Sequence, residues 1–203
     1  MFELILSGII GYLIGSISPS YLLSKIKGEN LRKKGTGNLG ATNTAIILGK
    51  GYGAFVMLFD IFKAVLASQL SSLIFKGNAL APLVSSALSV AGHIFPFYLK
   101  FRGGKGLATF GGLILSFDPV MFLILLALTL ILMFVFNYGV AMPMSASILF
   151  PILALLKTKS LAVFTITLLA SLLVFLKHLP NLKRAINKED HTVRDYIIKL
   201  KKN

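Results

Sequence analysis

Long apolar stretches alternate with short polar segments along the whole chain. Five apolar runs stand out against the roughly 17–25 residues that a helix needs to cross a bilayer: Leu4 to Leu23, Gly53 to Phe75, Leu80 to Leu99, Met121 to Phe136 with its flanks, and Val140 to Leu176. At about 1.5 Å rise per residue the last is long enough for two passes, and Lys157, Thr158 and Lys159 break it, so it predicts two helices with a turn between them. Gly106 to Phe117 is apolar but short, ends at Asp118-Pro119, and carries Ala108, Gly111 and Gly112, small residues suited to close helix contact. It predicts a seventh, shorter crossing. The pattern therefore implies an all-α integral membrane protein, a polytopic bundle of seven transmembrane helices with five as the alternative, in one domain over 1–203.

Composition agrees. The 203 residues are 56% hydrophobic and 14% charged, with a mean hydropathy of +0.83, a balance that a water-soluble core of this length would not need. The net charge of +14 would suggest nucleic acid in a soluble protein. Here the cations fall in the gaps between apolar runs, where topology and anionic lipid account for them. Sixteen of the 21 Lys and Arg lie in Lys25 to Lys34, Lys100 to Lys105 and Lys177 to Lys202, while Lys76, Lys157 and Lys159 stand on the other side. The positive-inside tendency then predicts an amino terminus outside, a cytoplasmic carboxyl terminus and a basic cytoplasmic tail over 191–203 able to lie on anionic lipid. The first run starts without a basic residue and ends in lysines, the reverse of a cleavable signal peptide, and reads as a retained helix. With no cysteine, chemistry must come from oxygen, nitrogen and backbone.

Candidate chemistry concentrates in two glycine-rich basic segments predicted to lie on the cytoplasmic side. The first, Arg32 to Asn43, reads RKKGTGNLGATN. Its GxGxxG match lacks the preceding strand that a dinucleotide fold requires. The better reading takes Arg32 as a planar donor fork, Thr36, Asn38, Thr42 and Asn43 as neutral hydrogen-bonding groups, and Gly37 and Gly40 among the glycines as room for backbone approach to an oxyanion. The second, His93 to Thr109, contains Arg102-Gly103-Gly104-Lys105-Gly106, two cations around a glycine pair just before a helix start, where the dipole also favours an anion. It is not a Walker A loop, because glycine follows the Lys. His93 reads as a buried hydrogen-bonding histidine. A third cluster, His178, Asn181 and Arg184, recurs at three-residue spacing and would share a helix face, although Pro180 could interrupt that helix. Asp60 and Lys63, three apart inside the second run, read as an internal pair.

Together these residues resemble the bacterial acyl-phosphate-dependent glycerol-3-phosphate acyltransferases, the PlsY family, over nearly the whole chain. Its three motifs match Gly15-Ser16-Ile17 with Arg32 to Asn43, then Gly92-His93 through Gly106-Leu107-Ala108, then His178 with Asn181 and Arg184. Thr36 stands where the family usually has Ser, and Arg102 where Lys is more usual. The third motif is looser, with Lys177 and Leu179 beside the histidine in place of arginines. The resemblance also gives weight to Asp60 and Lys63 without fixing a role.

The resemblance implies transfer of a fatty acyl group from acyl phosphate to the 1-hydroxyl of sn-glycerol 3-phosphate, with no cofactor and no metal. Membrane lipid is then a partner and nucleic acid is not. Lys105, Arg32 and loop amides would bind the phosphates, with Gly103, Gly104 and Gly106 nearest to glycerol 3-phosphate and Thr36 contributing its hydroxyl. His178 would orient or deprotonate the acceptor hydroxyl, Asn181 would orient His178 or the acyl carbonyl, and a substrate phosphate oxygen is an alternative base. His93, Arg184, Asp60 and Lys63 would support the site. The HxxxxD arrangement of other glycerolipid acyltransferases is absent: Tyr98, Lys183 and Tyr196 stand five positions after the three histidines. A transporter of phosphorylated small molecules is the competing class, and a structural membrane subunit a third.

Overall fold

The computed structural model describes residues 1–190 and 192–195. The chain forms two compact units, Met1–Pro119 and Val120–Asn203. Among the described residues every regular element is helical, and six segments are long and apolar enough to cross a membrane: Phe2–Ile26, Lys50–Ile74, Ala81–Leu99, Pro119–Phe136, Ala141–Thr158 and Leu161–Ile186.

In the first unit, α1 (Phe2–Ser16) and α2 (Pro19–Ile26) share one apolar run that breaks at Ile17. The break has a local cause. Ser18 is an N-cap whose hydroxyl accepts from the Tyr21 N–H, and Pro19 follows at the first helical position, where its missing N–H costs nothing. Then come α3 (Ala41–Leu48), α4 (Lys50–Ile74), α5 (Ala81–Ile94), a 3₁₀ turn (Phe97–Leu99) and α6 (Leu107–Phe117).

Small residues set how these helices meet. A Cβ on Gly11 or Gly15 of α1 would overlap the backbone of Ser85 or Ser89 on α5, and one on Gly92 of α5 would overlap the Tyr12 carbonyl oxygen. These pairs, with Ser7 bonded to the Ala81 carbonyl, advance together along both chains, so α1 and α5 run parallel. The α1–α2 break and the start of the second glycine-rich loop therefore lie at the same end of the unit. Helix α4 runs the other way: Ser71 bonds Ser7, 2.7 Å, while Lys63 reaches Ile17, 2.9 Å. Backbones this close gain dispersion contact that lipid cannot supply. Gly15→Ala is expected to destabilise by about 1–3 kcal/mol through overpacking, read as a lowered Tm in detergent. Gly8→Ala, whose Cβ would meet only side-chain carbons at 3.6 and 3.7 Å, should change Tm little.

Gly112 of α6 packs its bare Cα against Ile61 and Ala64 of α4, the close contact its composition predicted. At 11 residues α6 spans only about 16 Å of a hydrocarbon layer of about 30 Å. It is therefore not one of the six long segments.

The second unit contains α7 (Pro119–Phe136), α8 (Ala141–Thr158) and α9 (Leu161–Ile186). The tract predicted to split at Lys157 to Lys159 does so. Lys159 turns through a left-handed conformation, φ 53°, and Ser160 caps α9 by accepting from the Val163 N–H. Pro180 does not end α9, which continues to Ile186. One lost backbone bond is tolerated where neighbouring turns hold. Val140, Met144 and Ala185 form a buried cluster between α8 and α9. The tail expected over 191–203 lies outside the described residues apart from 192–195, where the Val193 N–H donates to the Asn137 carbonyl.

Candidate functional site

The first glycine-rich loop is organised from beneath by Asn43. Part of the expected loop is helix: Gly40 caps α3, so Thr42 and Asn43 stand in its first turn. The Asn43 side chain is fully buried and spends its amide on the loop. Its Oδ1 accepts from the Thr36 N–H at 2.7 Å, and its Nδ2 donates to the carbonyls of Leu31 and Lys34 at 2.8 and 3.2 Å. Gly35 and Gly37 take left-handed conformations, φ 59° and 70°, which let the chain double back over this amide. Arg32, Thr36, Gly37 and Thr42 stay exposed, and Asn38 is half-buried. Asn43→Leu would strand the part-buried Thr36 N–H and two carbonyls, that of Leu31 buried, an expected loss of about 1–3 kcal/mol, with the Thr36 amide exchanging hydrogen faster than in the wild type.

The second loop starts where α5 ends at Ile94. Lys100 and Phe101 adopt left-handed conformations, and the chain returns so that the Gly103 N–H donates to the Ile94 carbonyl, 3.0 Å, and the Gly104 N–H to the His93 carbonyl, 3.2 Å. These two amides, expected to face an anion, are thus turned inward. A Cβ on Gly103 would strike the His93 carbonyl, and one on Gly104 the His93 ring and the Leu39 carbonyl. The glycine pair is required by protein packing. Gly106, φ 85°, then opens α6, whose first-turn amides point at the loop end without intrahelical acceptors. Lys105 is half-buried just before them.

The two loops are joined. An Arg32 Nη2 hydrogen bond to the Arg102 carbonyl connects them, Leu39 of the first lies against Gly104 of the second, and Leu31, Leu39 and Leu99 form a shared buried cluster. Arg32, Arg102 and Lys105 are thereby gathered at one end of the unit, where like charges favour an anion.

The Asp60–Lys63 pair is internal, as its spacing predicted: Nζ to Oδ1 is 2.7 Å, and both side chains are buried, Lys63 to 1% exposure. The ammonium approaches Asp60 Oδ1 outside hydrogen-bonding angles, so that contact is chiefly coulombic. Its directional bonds go elsewhere, to the Ile17 carbonyl and to His93 Nδ1, both 2.9 Å. Asp60 Oδ1 also lies 3.3 Å from Nδ1 but outside hydrogen-bonding geometry, so the nearer ammonium, which only donates, makes Nδ1 the acceptor and assigns the ring's proton to Nε2. His93 is buried and hydrogen-bonded, as expected.

The third motif lies in the second unit, on α9. His178 is buried, and its Nδ1 lies 2.8 Å from the Val174 carbonyl oxygen. A carbonyl only accepts, so Nδ1 carries a proton, which leaves Nε2 as the nitrogen able to act as a base. Asn181 is half-buried and Arg184 exposed, so the three-residue spacing winds from the interior to the surface.

Sequence reasoning missed Tyr98. Its hydroxyl donates to the Ser16 carbonyl, 2.8 Å, and accepts from the Ser18 N–H, 3.1 Å, pinning the α1–α2 break to the second loop. The Ser-Pro pair at 18–19 is a local signal for that break, which the apolar pattern alone reads through as one helix, and nothing local points to a tyrosine 80 residues away.

These features define a multi-pass helical membrane protein whose first unit gathers two glycine-rich basic loops at one end. A sequence model of the family described as glycerol-3-phosphate acyltransferase matches residues 5–188. The glycerol-3-phosphate acyltransferase of Geobacillus kaustophilus is 36% identical over 187 residues, 92% of this chain and 94% of that protein. That of Bacillus subtilis is 35% identical, with 92% and 95% covered. The crystal structure of PlsY (YgiH), an integral membrane glycerol 3-phosphate acyltransferase, in its glycerol 3-phosphate form superposes with a TM-score of 0.85 at 28% identity, covering 93% of this chain and 94% of that one. A lysophosphatidic acid form of PlsY gives 0.80 at 26% identity. The chain belongs to the glycerol-3-phosphate acyltransferase (PlsY) family.

Proposed function

We propose that this acyltransferase moves a fatty acyl group from acyl phosphate to the 1-hydroxyl of sn-glycerol 3-phosphate, giving 1-acyl-sn-glycerol 3-phosphate and inorganic phosphate, the first acylation of bacterial phospholipid synthesis. The observation that carries the reading is the junction of the two glycine-rich loops, which collects Arg32, Arg102 and Lys105 beside the amino terminus of α6. Such an end suits phosphate, through fixed cations and helix-start amides. Lys105 and Arg32 hold phosphate oxygens, with Arg102, Asn38, Thr42 and the backbone of Gly37, Gly40 and Gly106 around them and the Thr36 hydroxyl toward the substrate. Asn43, Gly103 and Gly104 shape the loops from within. The glycerol hydroxyl oxygen attacks the acyl carbonyl carbon, the bond from that carbon to the phosphate oxygen breaks, and His178 Nε2 takes the hydroxyl proton. Asn181 orients the reacting groups and Arg184 supports them. Acyl phosphate is already activated, so positioning and charge stabilisation supply most of the catalysis.

The orientation in this reading follows the distribution of lysines: amino terminus outside, both loops and the carboxyl terminus in the cytoplasm, α6 counted as a short seventh crossing of the bacterial cytoplasmic membrane. Purified protein in lipid should form lysophosphatidic acid from glycerol 3-phosphate with palmitoyl phosphate and not with palmitoyl-CoA. Product from the thioester alone would overturn the donor. Uptake of glycerol 3-phosphate into vesicles without any product would favour transport.

A further inference from the structure

The Asp60–Lys63 pair is an expensive feature at membrane depth, and ionisable groups there are retained for what they hold. Its ammonium holds two points, the break between α1 and α2 at Ile17 and the root of the second loop at His93. The Ile17 carbonyl sits in the α1–α2 break, where the amide four residues on, Tyr21 N–H, is taken by the Ser18 hydroxyl. Lys63 supplies the donor that the broken helix does not. On the other side Lys63 fixes His93 Nδ1, and the far edge of that ring, Nε2, lies against Gly104, so closely that even a methyl group there would overlap it. Gly104 immediately precedes Lys105.

We propose that Asp60 and Lys63 are positioning residues of the phosphate site. Lys63 ties the α1–α2 break at Ile17 to the root of the second loop at His93, and the His93 ring sets the Gly103–Gly104 turn that places Lys105. Asp60, 2.7 Å away, holds the ammonium in place. The proposal rests on Lys105 being a phosphate-binding cation, and it assigns to three buried side chains a function in glycerol 3-phosphate binding without contact to the substrate.

Removing Lys63 alone would leave the Asp60 charge buried without a partner, which unfolds proteins for reasons unrelated to the site. The test is therefore the neutral double variant Asp60→Asn/Lys63→Met. In the folded variant, KM for glycerol 3-phosphate should rise roughly ten-fold or more, while kcat and KM for palmitoyl phosphate stay within about three-fold. Adding His93→Gln should raise KM by no more than about two-fold further, because the pair acts through that ring. Imidazole ¹⁵N resonances, assigned by the loss of one signal in His93→Gln, should report His93 as the Nε2–H tautomer in the wild type and a mixture in the double variant. That signature is read without substrate, so it stands apart from the assignment of Lys105, which Lys105→Ala tests separately. An unchanged KM in the folded double variant, a fully multiplicative effect of His93→Gln, or an unaltered His93 tautomer would overturn the proposal. If the double variant does not fold, Lys63→Arg takes its place. A planar guanidinium cannot reproduce the three-way contact of an ammonium, so KM should again rise, and a wild-type KM would overturn the proposal.

Discussion

Replacing His178 with alanine is expected to lower kcat by about 10²–10⁴-fold, the range for removing a positioned general base, while leaving KM for both substrates within a few fold. The reasoning starts from the ring. With Nδ1 donating to the Val174 carbonyl, one turn back on α9, the imidazole is fixed in orientation and its basic nitrogen is Nε2. His178→Gln separates two contributions: it keeps a hydrogen-bonding group but no base, and should recover little of the lost rate. Steady-state kinetics on protein with unchanged helical circular dichroism and Tm checks both variants. Substantial recovery by glutamine would mean that orientation matters here and that a substrate oxygen takes the proton.

Lys105→Ala should cost about 10²–10³-fold in kcat/KM, comparable to removing a charged or hydrogen-bonding group aimed at developing negative charge. The residue follows a turn held by two inward backbone bonds and precedes the helix start at Leu107, so the cation and the helix dipole act at one place. Lys105→Met, which keeps the length and loses the charge, should be as damaging. Arg32→Ala should be milder, since Arg32 is exposed and its guanidinium is partly taken by the Arg102 carbonyl. Rates measured at fixed ionic strength with glycerol 3-phosphate varied give the ordering. Near-normal turnover in Lys105→Met would remove this residue from the phosphate site.

Much of the architecture was legible because membrane helices report themselves by length and polarity. The predicted runs all fall on helices, and the break at Lys157 to Lys159 is a real turn, but the first run is two helices broken at Ile17 and α9 continues ten residues past Leu176. The Asp60–Lys63 pair was legible because its partners are one helical turn apart. Contacts that cross helices were not. Nothing near Lys63 points to Ile17 or to His93, 46 and 30 residues away. Helix α3 was hidden by its setting: eight residues with no side-chain cap, bracketed by Gly40 and Gly49. The glycine pair at 103–104 reads as lying nearest to the substrate, and the structure adds that the Cβ position of each is filled by His93, Pro96 or Leu39. A glycine in sequence shows that a Cβ is excluded, and only the fold shows by what. Pro180 was expected to threaten α9 at His178, yet the helix carries through it.

The measurement that tests the central claim most directly is a rapid-quench single turnover with purified protein in lipid, palmitoyl phosphate and glycerol 3-phosphate, counting both lysophosphatidic acid and inorganic phosphate. Direct transfer between two phosphate-bearing substrates predicts that the two products appear in equal amounts at one rate, with no phosphate released when glycerol 3-phosphate is omitted. A burst of phosphate without the acceptor, or lysophosphatidic acid formed from palmitoyl-CoA and not from palmitoyl phosphate, would contradict it.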